Sequence, residues 1–365
     1  MLSILSYDEA GLRAFLESWG QPAYRARQLC EWLWQRGASG YEEMTNLPAA
    51  LRERLTAELP LQRALVAERL EASDGARKYL LQFADGVKIE TVGIPDTGSD
   101  HRLTVCVSSQ AGCALGCVFC ATGRAGLIRN LGAGEIAEQV RIVAADFDRP
   151  ATNVVVMGQG EPFANYGAVL GALRLLNSPR AFNIGARHIT VSTSGIISGI
   201  KRLAEEPEQF RLALSLHAAT QDLRDQLMPG LRKQPLDKLR MALAQYRERS
   251  GRRVSLEYVL LRDINDHDSD LQALADFARA IGAHVNLLPY NDTGASLPDT
   301  DAGARAPGDT ALRAPAQFSA SPRITQAAEF LRAAGIEATV RHPRGADIAA
   351  ACGQLVSSSS SSDCN

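Results

Sequence analysis

From Gly134 onward the chain alternates short apolar runs with helical stretches, and this alternation limits the fold more than any other feature of the 365 residues. Gly134 to Phe147 reads as a helix and Asn153 to Met157 as a strand. Further strands are expected at His188 to Val191, Arg211 to Leu216, Ser255 to Leu260, His284 to Leu288 and Glu337 to Arg341. Strands separated by helices pair in parallel, because each crossover returns the chain to the same end of the sheet. The expected fold is therefore α/β, a partial or full (β/α) barrel with its ligands at the carboxyl ends of the strands.

The flanks follow other patterns. Residues 1 to about 75 read as short amphipathic helices, with Leu12, Phe15 and Leu16 on one face and Leu29, Trp32, Leu33 and Trp34 on another. This small helical domain is open to two roles, packing or RNA binding through Arg13, Arg25, Arg27, Arg36, Arg52 and Arg54. Lys78 to Phe83, the turn Ala84-Asp85-Gly86 and Val87 to Val92 predict a β-hairpin linker within 76–100. A core of 101–345 opens with Leu103 to Val107, a hairpin-like run leading into a cysteine cluster. Residues 292–321, rich in Ala, Gly, Pro, Asp and Ser without periodicity, read as a long mobile loop. Residues 346–365 form a C-terminal segment ending in a Ser-rich tail.

No basic region precedes a long apolar run at the N-terminus, and no stretch reaches the length of a membrane span, so a cytoplasmic protein away from membranes is expected. A net charge of only -2 means that any nucleic acid must be held by local patches, such as Arg232-Lys233, Arg247 to Arg253 or Arg341 to Arg344. Seven cysteines, at 30, 106, 113, 117, 120, 352 and 364, argue for metal or thiol chemistry over a disulfide framework.

Cys113, Cys117 and Cys120 stand in a C-x3-C-x2-C spacing within a Gly-rich loop after a strand. Three thiolates can ligate three irons of a cubane cluster and leave the fourth iron open. A zinc site would want a fourth ligand nearby, and no His or Cys follows within the next thirty residues. The motif, with Phe119 before its third cysteine, resembles the signature of the radical S-adenosylmethionine superfamily. That resemblance implies a partial (β/α) barrel of radical SAM type and one 4Fe-4S cluster. Its open iron would bind the amino and carboxylate groups of S-adenosylmethionine and release a 5′-deoxyadenosyl radical. At the next strand end, Val154 to Pro162 supplies Gly160, whose backbone can approach the cofactor, and Glu161, which can accept from its ammonium group.

Taken alone, Cys106 reads as a small buried residue of a strand, and Cys352, in a Gly-flanked terminal segment, is undecided. Together with the triad they resemble the bacterial dual-specificity adenine-C2 RNA methyltransferases, relatives of the C8-methylating ribosomal resistance enzyme. An adenine C2 has no lone pair with which to attack a methyl sulfonium, so the methyl group must first be parked on a thiol. The resemblance implies that Cys352 becomes S-methylcysteine, that Cys106 resolves the RNA adduct through a disulfide, and that Glu90 accepts the ring proton. It also implies cofactor contacts from Gly160, Glu161, Ser192, Ser215, Leu216, His217 and Asn291, and two S-adenosylmethionine molecules per turnover. The implied targets are an adenosine in the peptidyl-transferase region of 23S rRNA and the adenosine 3′ to the anticodon in some tRNAs, with the base exposed from its stack. An electron donor such as flavodoxin and a monomeric enzyme are expected. The C8 reaction is the nearest alternative, and Pro162 after Gly160-Glu161 favours C2 because C8 relatives usually have Ala there. A glycyl-radical activase or a cluster-bearing RNA-binding protein would use the triad without needing the Cys106 and Cys352 pair.

Overall fold

The computed structural model describes residues 3–96, 98, 101–293 and 317–356. Strands β1 (Leu65–Glu71), β2 (Arg77–Gln82) and β3 (Lys88–Pro95) form an antiparallel meander, and β3 pairs antiparallel with β4 (Leu103–Cys106). A separate small hairpin joins β5 (Gln110–Gly112) to β6 (Leu127–Asn130). Beside β4 the main sheet continues with β7 (Asn153–Val156), β8 (Ile189–Thr193), β9 (Arg211–Ser215), β10 (Ser255–Leu260), β11 (His284–Pro289) and β12 (Ala338–Val340). Each of these is parallel to its neighbour. The run expected to be a second hairpin, Leu103–Cys106, is thus also the first strand of the parallel set.

The sheet has two free edges, β1 and β12, so the barrel is partial. Alternate residues of the parallel strands face its interior: Thr104 and Cys106, Thr190 and Ser192, Ser255, Glu257 and Val259, and His284, Asn286 and Leu288. The intervening Leu256, Tyr258 and Leu260 belong to the main apolar core. Helices between the strands complete the crossovers, among them Ala133–Asp146, Tyr166–Asn177, Leu236–Ser250 and Asp268–Ile281. The last of these buries Leu271, Leu274, Ala278 and Ile281, a spacing of three and four that keeps one stripe on the sheet.

The open seam between β12 and β4 is crossed by the chain after β12. Arg344 donates to the carbonyls of Asp74 at 2.9 Å and Pro95 at 3.1 Å, and Asp347 accepts from the backbone of Ser73 at 2.9 Å. Lys78 reaches the carbonyl of Ala349 at 3.1 Å. The segment therefore leaves one edge of the parallel set and docks on the meander that extends the other.

The N-terminal module contains helices Glu9–Ser18, Tyr24–Cys30 and Ala49–Glu58. Asp8 caps the first by accepting from the backbone of Gly11 at 2.7 Å, and Leu12, Leu16, Leu29, Leu33, Leu51 and Leu55 are buried. The helical reading to residue 75 runs too far, because Leu65–Glu71 is a strand. All seven of its residues are exposed, so no alternation of burial marks it, and pairing with β2 overrides the helix-favouring Ala, Leu, Glu and Arg. Within 317–321 of the expected loop Phe318 and Ser321 are buried, Phe318 against Tyr290, and Leu261 bridges Ala320. Residues 294–316 and the Ser-rich tail from 357 lie outside the described residues. No helix among the described residues is long and apolar enough to cross a membrane.

Candidate active site

The barrel interior is a cavity of about 910 Å³ that Cys113, Cys117, Cys120, Cys106 and Cys352 all line. The β5–β6 hairpin sets the start of the triad, where the Cys113 backbone donates to the Gly126 carbonyl at 2.9 Å. The loop continues with Val118 held by the Leu227 carbonyl at 3.0 Å and Cys120 turned back on the Cys117 carbonyl at 3.1 Å. Burial pushes the Cys113 thiol up to about 11 and Cys117 well above the usual thiol range. Among the described residues no three His, Cys, Asp or Glu side chains converge closely enough to hold a single metal ion. A cubane cluster carries its ligands on separate irons and needs no such convergence.

Gly160 follows β7 at φ +99°, and a Cβ there would stand 2.5 Å from Gln110 Cβ, so the close approach requires glycine. The Gln110 side chain in turn accepts from the Glu161 backbone at 2.8 Å. The Glu161 carboxylate accepts from the Thr193 hydroxyl at 2.6 Å, the Phe163 backbone at 3.0 Å and the Ser194 backbone at 2.7 Å. It therefore ties the end of β7 to the end of β8. Burial raises its pKa, against the pull of these donors.

Ser192 and Ser215, on neighbouring strands, share a hydrogen bond of 3.1 Å at the cavity wall. His217 sits at φ +56° with Nδ1 accepting from the Val259 backbone at 3.1 Å, which places the proton on Nε2. Burial, with Arg224 nearby, lowers its pKa to about 3, so the ring is neutral. Leu216, between them, is fully buried and does not line the cavity, so only its backbone is available. Asn291 lines the cavity and donates to the Cys352 carbonyl at 3.1 Å.

Cys106 lies in β4 between Val92 and Val155, packed with Ala350 and Leu355. Cys352 is open to solvent, but to the solvent of the cavity, and its loop is pinned where the Ala121 backbone donates to the Gly353 carbonyl at 2.8 Å. The two thiols are within electrostatic reach of each other, and both are free. The implied disulfide is thus absent from this state. Burial pushes both thiols up. Glu90 is placed differently from its expected role. One carboxylate oxygen pairs with Lys78 at 3.0 Å, the other accepts from the Val356 backbone at 2.7 Å, and the residue does not line the cavity.

The same combination of features recurs in known proteins. Residues 107–278 match the radical SAM superfamily, and residues 2–60 match the ribosomal RNA large subunit methyltransferase N-terminal domain. The probable dual-specificity RNA methyltransferase RlmN of Gemmatimonas aurantiaca is 45% identical over 96% of this chain and 92% of its own. That of Gloeobacter violaceus is also 45% identical, over 96% and 94%. The chain belongs to the RlmN family. It also resembles the crystal structure of a radical SAM methyltransferase from Sphaerobacter thermophilus, with a TM-score of 0.83 and 43% identity over 97% of this chain and 99% of that one.

As an RlmN-family member the chain is a radical SAM RNA methyltransferase, and the superfamily implies a 4Fe-4S cluster and S-adenosylmethionine. The residues fit both. Three thiols share one loop, a rim of hydroxyl, imidazole and amide groups lines the same cavity, and the buried guanidinium of Arg224, whose charge acts on Cys117, has open donors. Sequence reasoning passed over Arg224 and Glu257, and read Arg341 only as part of a basic patch for nucleic acid. Glu257, in β10, accepts from Asn286 at 2.7 Å, and Thr339 orients that amide at 2.6 Å. Its charge raises the Cys352 thiol while that of Arg341 lowers it. The signal was present as Ser255 and Glu257 at alternate positions of one strand and His284 and Asn286 at alternate positions of the next, but these read as an inward face only once the barrel is known.

Proposed function

We propose that this chain methylates C2 of an adenosine in the peptidyl-transferase region of 23S rRNA and of the adenosine 3′ to the anticodon in some tRNAs, by way of a methyl group carried on Cys352. The observation that carries the reading is the pair of free thiols, Cys106 and Cys352, lining one cavity with the triad.

Cys113, Cys117 and Cys120 would hold the cluster, and Gly160, Glu161, Ser192, Ser215, the Leu216 backbone, His217 and Asn291 would hold S-adenosylmethionine. When bound, these groups supply a methyl group and a 5′-deoxyadenosyl radical, one cofactor molecule for each. Cys352 loses its thiol proton and carries the methyl carbon to the ring. Once the adduct has given its ring proton to a base and one electron to the electron-transfer partner, Cys106 as thiolate attacks the Cys352 sulfur. The sulfur–carbon bond breaks, the departing carbon takes up a proton as the methyl group, and the two cysteines are left as a disulfide that an external thiol or electron donor reopens. Glu90 is the proposed acceptor of the ring proton. Its carboxylate holds the Val356 backbone, in the same segment that carries Cys352. Neutral His217 offers an Nε2 proton without bringing a charge into the pocket. The enzyme works as a cytoplasmic monomer, reduced by a small electron-transfer protein such as flavodoxin.

The test is an anaerobic incubation of reduced, reconstituted protein with S-adenosylmethionine and rRNA or tRNA fragments, followed by nucleoside analysis. The expected product is 2-methyladenosine, with S-adenosylhomocysteine and 5′-deoxyadenosine formed in equal amounts. 8-Methyladenosine in its place would move the chain to the C8 reaction, and 5′-deoxyadenosine without methylated base sinks both.

A further inference from the structure

We propose that Arg224 is the counter-charge of the iron–sulfur centre, a positioning residue that raises the centre's reduction potential through space. The inference rests on the reading of Cys113, Cys117 and Cys120 as cluster ligands and assigns a residue that reading leaves without a role.

Arg224 lies in the helix Gln221–Leu227, and its side chain has no exposed surface. One donor is accounted for, since Nη2 donates to the Ser194 carbonyl. Nε and Nη1 have no hydrogen-bond partner among the described residues. A guanidinium withdrawn from water with open donors is costly to keep, so the site is incomplete without an anion. The negative or potentially negative groups within electrostatic reach are Cys117, Asp225 and Glu161. Asp225 accepts from Gln221 at 2.7 Å, and Glu161 is engaged by Thr193, Phe163 and Ser194. Cys117 is what remains.

The backbone makes room for this charge. Gly195 sits at φ +111°, and a Cβ there would stand 3.1 Å from Nη2 of Arg224. A cubane bound by three thiolates is anionic, and one-electron reduction makes it more so, so a fixed positive charge in a poorly screened position favours the reduced form.

The test compares Arg224→Met and Arg224→Lys with the wild type after anaerobic reconstitution with iron and sulfide. Cluster reduction is followed by electron paramagnetic resonance during a dithionite titration, first without S-adenosylmethionine. At the wild-type midpoint, the reduced-to-oxidised ratio should fall about tenfold in the Met variant, equivalent to about 59 mV for one electron, and stay near the wild-type value in the Lys variant. Should the Met variant fail to fold, Arg224→Gln, whose amide can keep the Ser194 contact, takes its place. Equal potentials in the charged and uncharged proteins overturn the proposal. So does a difference that appears only when S-adenosylmethionine is added, because the charge then acts on the cofactor's carboxylate. Wild-type protein that takes up no four-iron cluster removes the ligand reading itself, and this inference with it. A normal cluster with an unmoved potential removes the inference alone.

Discussion

Cys106 and Cys352 share a cavity but not an environment. Burial raises both thiols, but Cys106 sits in a strand under Ala350 and Leu355, whereas Cys352 lines the cavity and is raised further by the charge of Glu257 and lowered by that of Arg341. A nearby carboxylate disfavours a thiolate, so Glu257→Gln should lower the Cys352 pKa and Arg341→Gln should raise it. Iodoacetamide labelling across pH, read on the Cys352 peptide, should shift its midpoint down in the first variant and up in the second, with rates at neutral pH changing on the order of severalfold. Shifts in the same direction would remove the electrostatic account. On the proposed mechanism Cys106→Ala leaves nothing to release the RNA adduct, so protein purified from cells should carry RNA covalently attached to Cys352. Recovery free of nucleotide would count against the resolving role.

Among the elements, the segment after β12 links the pocket to the meander. Glu90 and Lys78 hold it at Val356 and Ala349, and Asn291 holds it at Cys352. Glu90→Ala removes the clamp at one end, and hydrogen exchange in residues 345–356 should quicken by roughly tenfold or more while β10 and β11 stay protected. Unchanged exchange would mean that the other contacts suffice. The parallel strands were legible in the sequence because each is a short apolar run set off by helical spacing. Ser255–Leu260 falls where the pattern put it. The triad was legible as a motif because its three cysteines are close in sequence. What stayed hidden depends on distant partners. The strand Leu65–Glu71 exists only by pairing, the clamp on Glu90 comes from 266 residues away, and Arg224 looks like any helix-surface arginine until its burial is known.

Over the whole molecule, the N-terminal module and the barrel are joined by charge buried between them. Arg63 donates to the carbonyls of Leu33 and Ala38 and pairs at 2.7 Å with Glu138, which has no exposed surface and also binds Arg141 at 2.6 Å. Arg63→Met leaves that carboxylate half compensated and should cost about 3 kcal/mol in urea unfolding; a loss below about 1 kcal/mol would show that Arg141 alone is enough. The seam between β12 and β4 has a different consequence. Strand pairing in the barrel does not depend on the segment that carries Cys352, so reagent and vessel make separate demands on the sequence. Natural variation or design can therefore exchange the group at the seam, and so the chemistry delivered to a captive base, while the vessel is inherited unchanged.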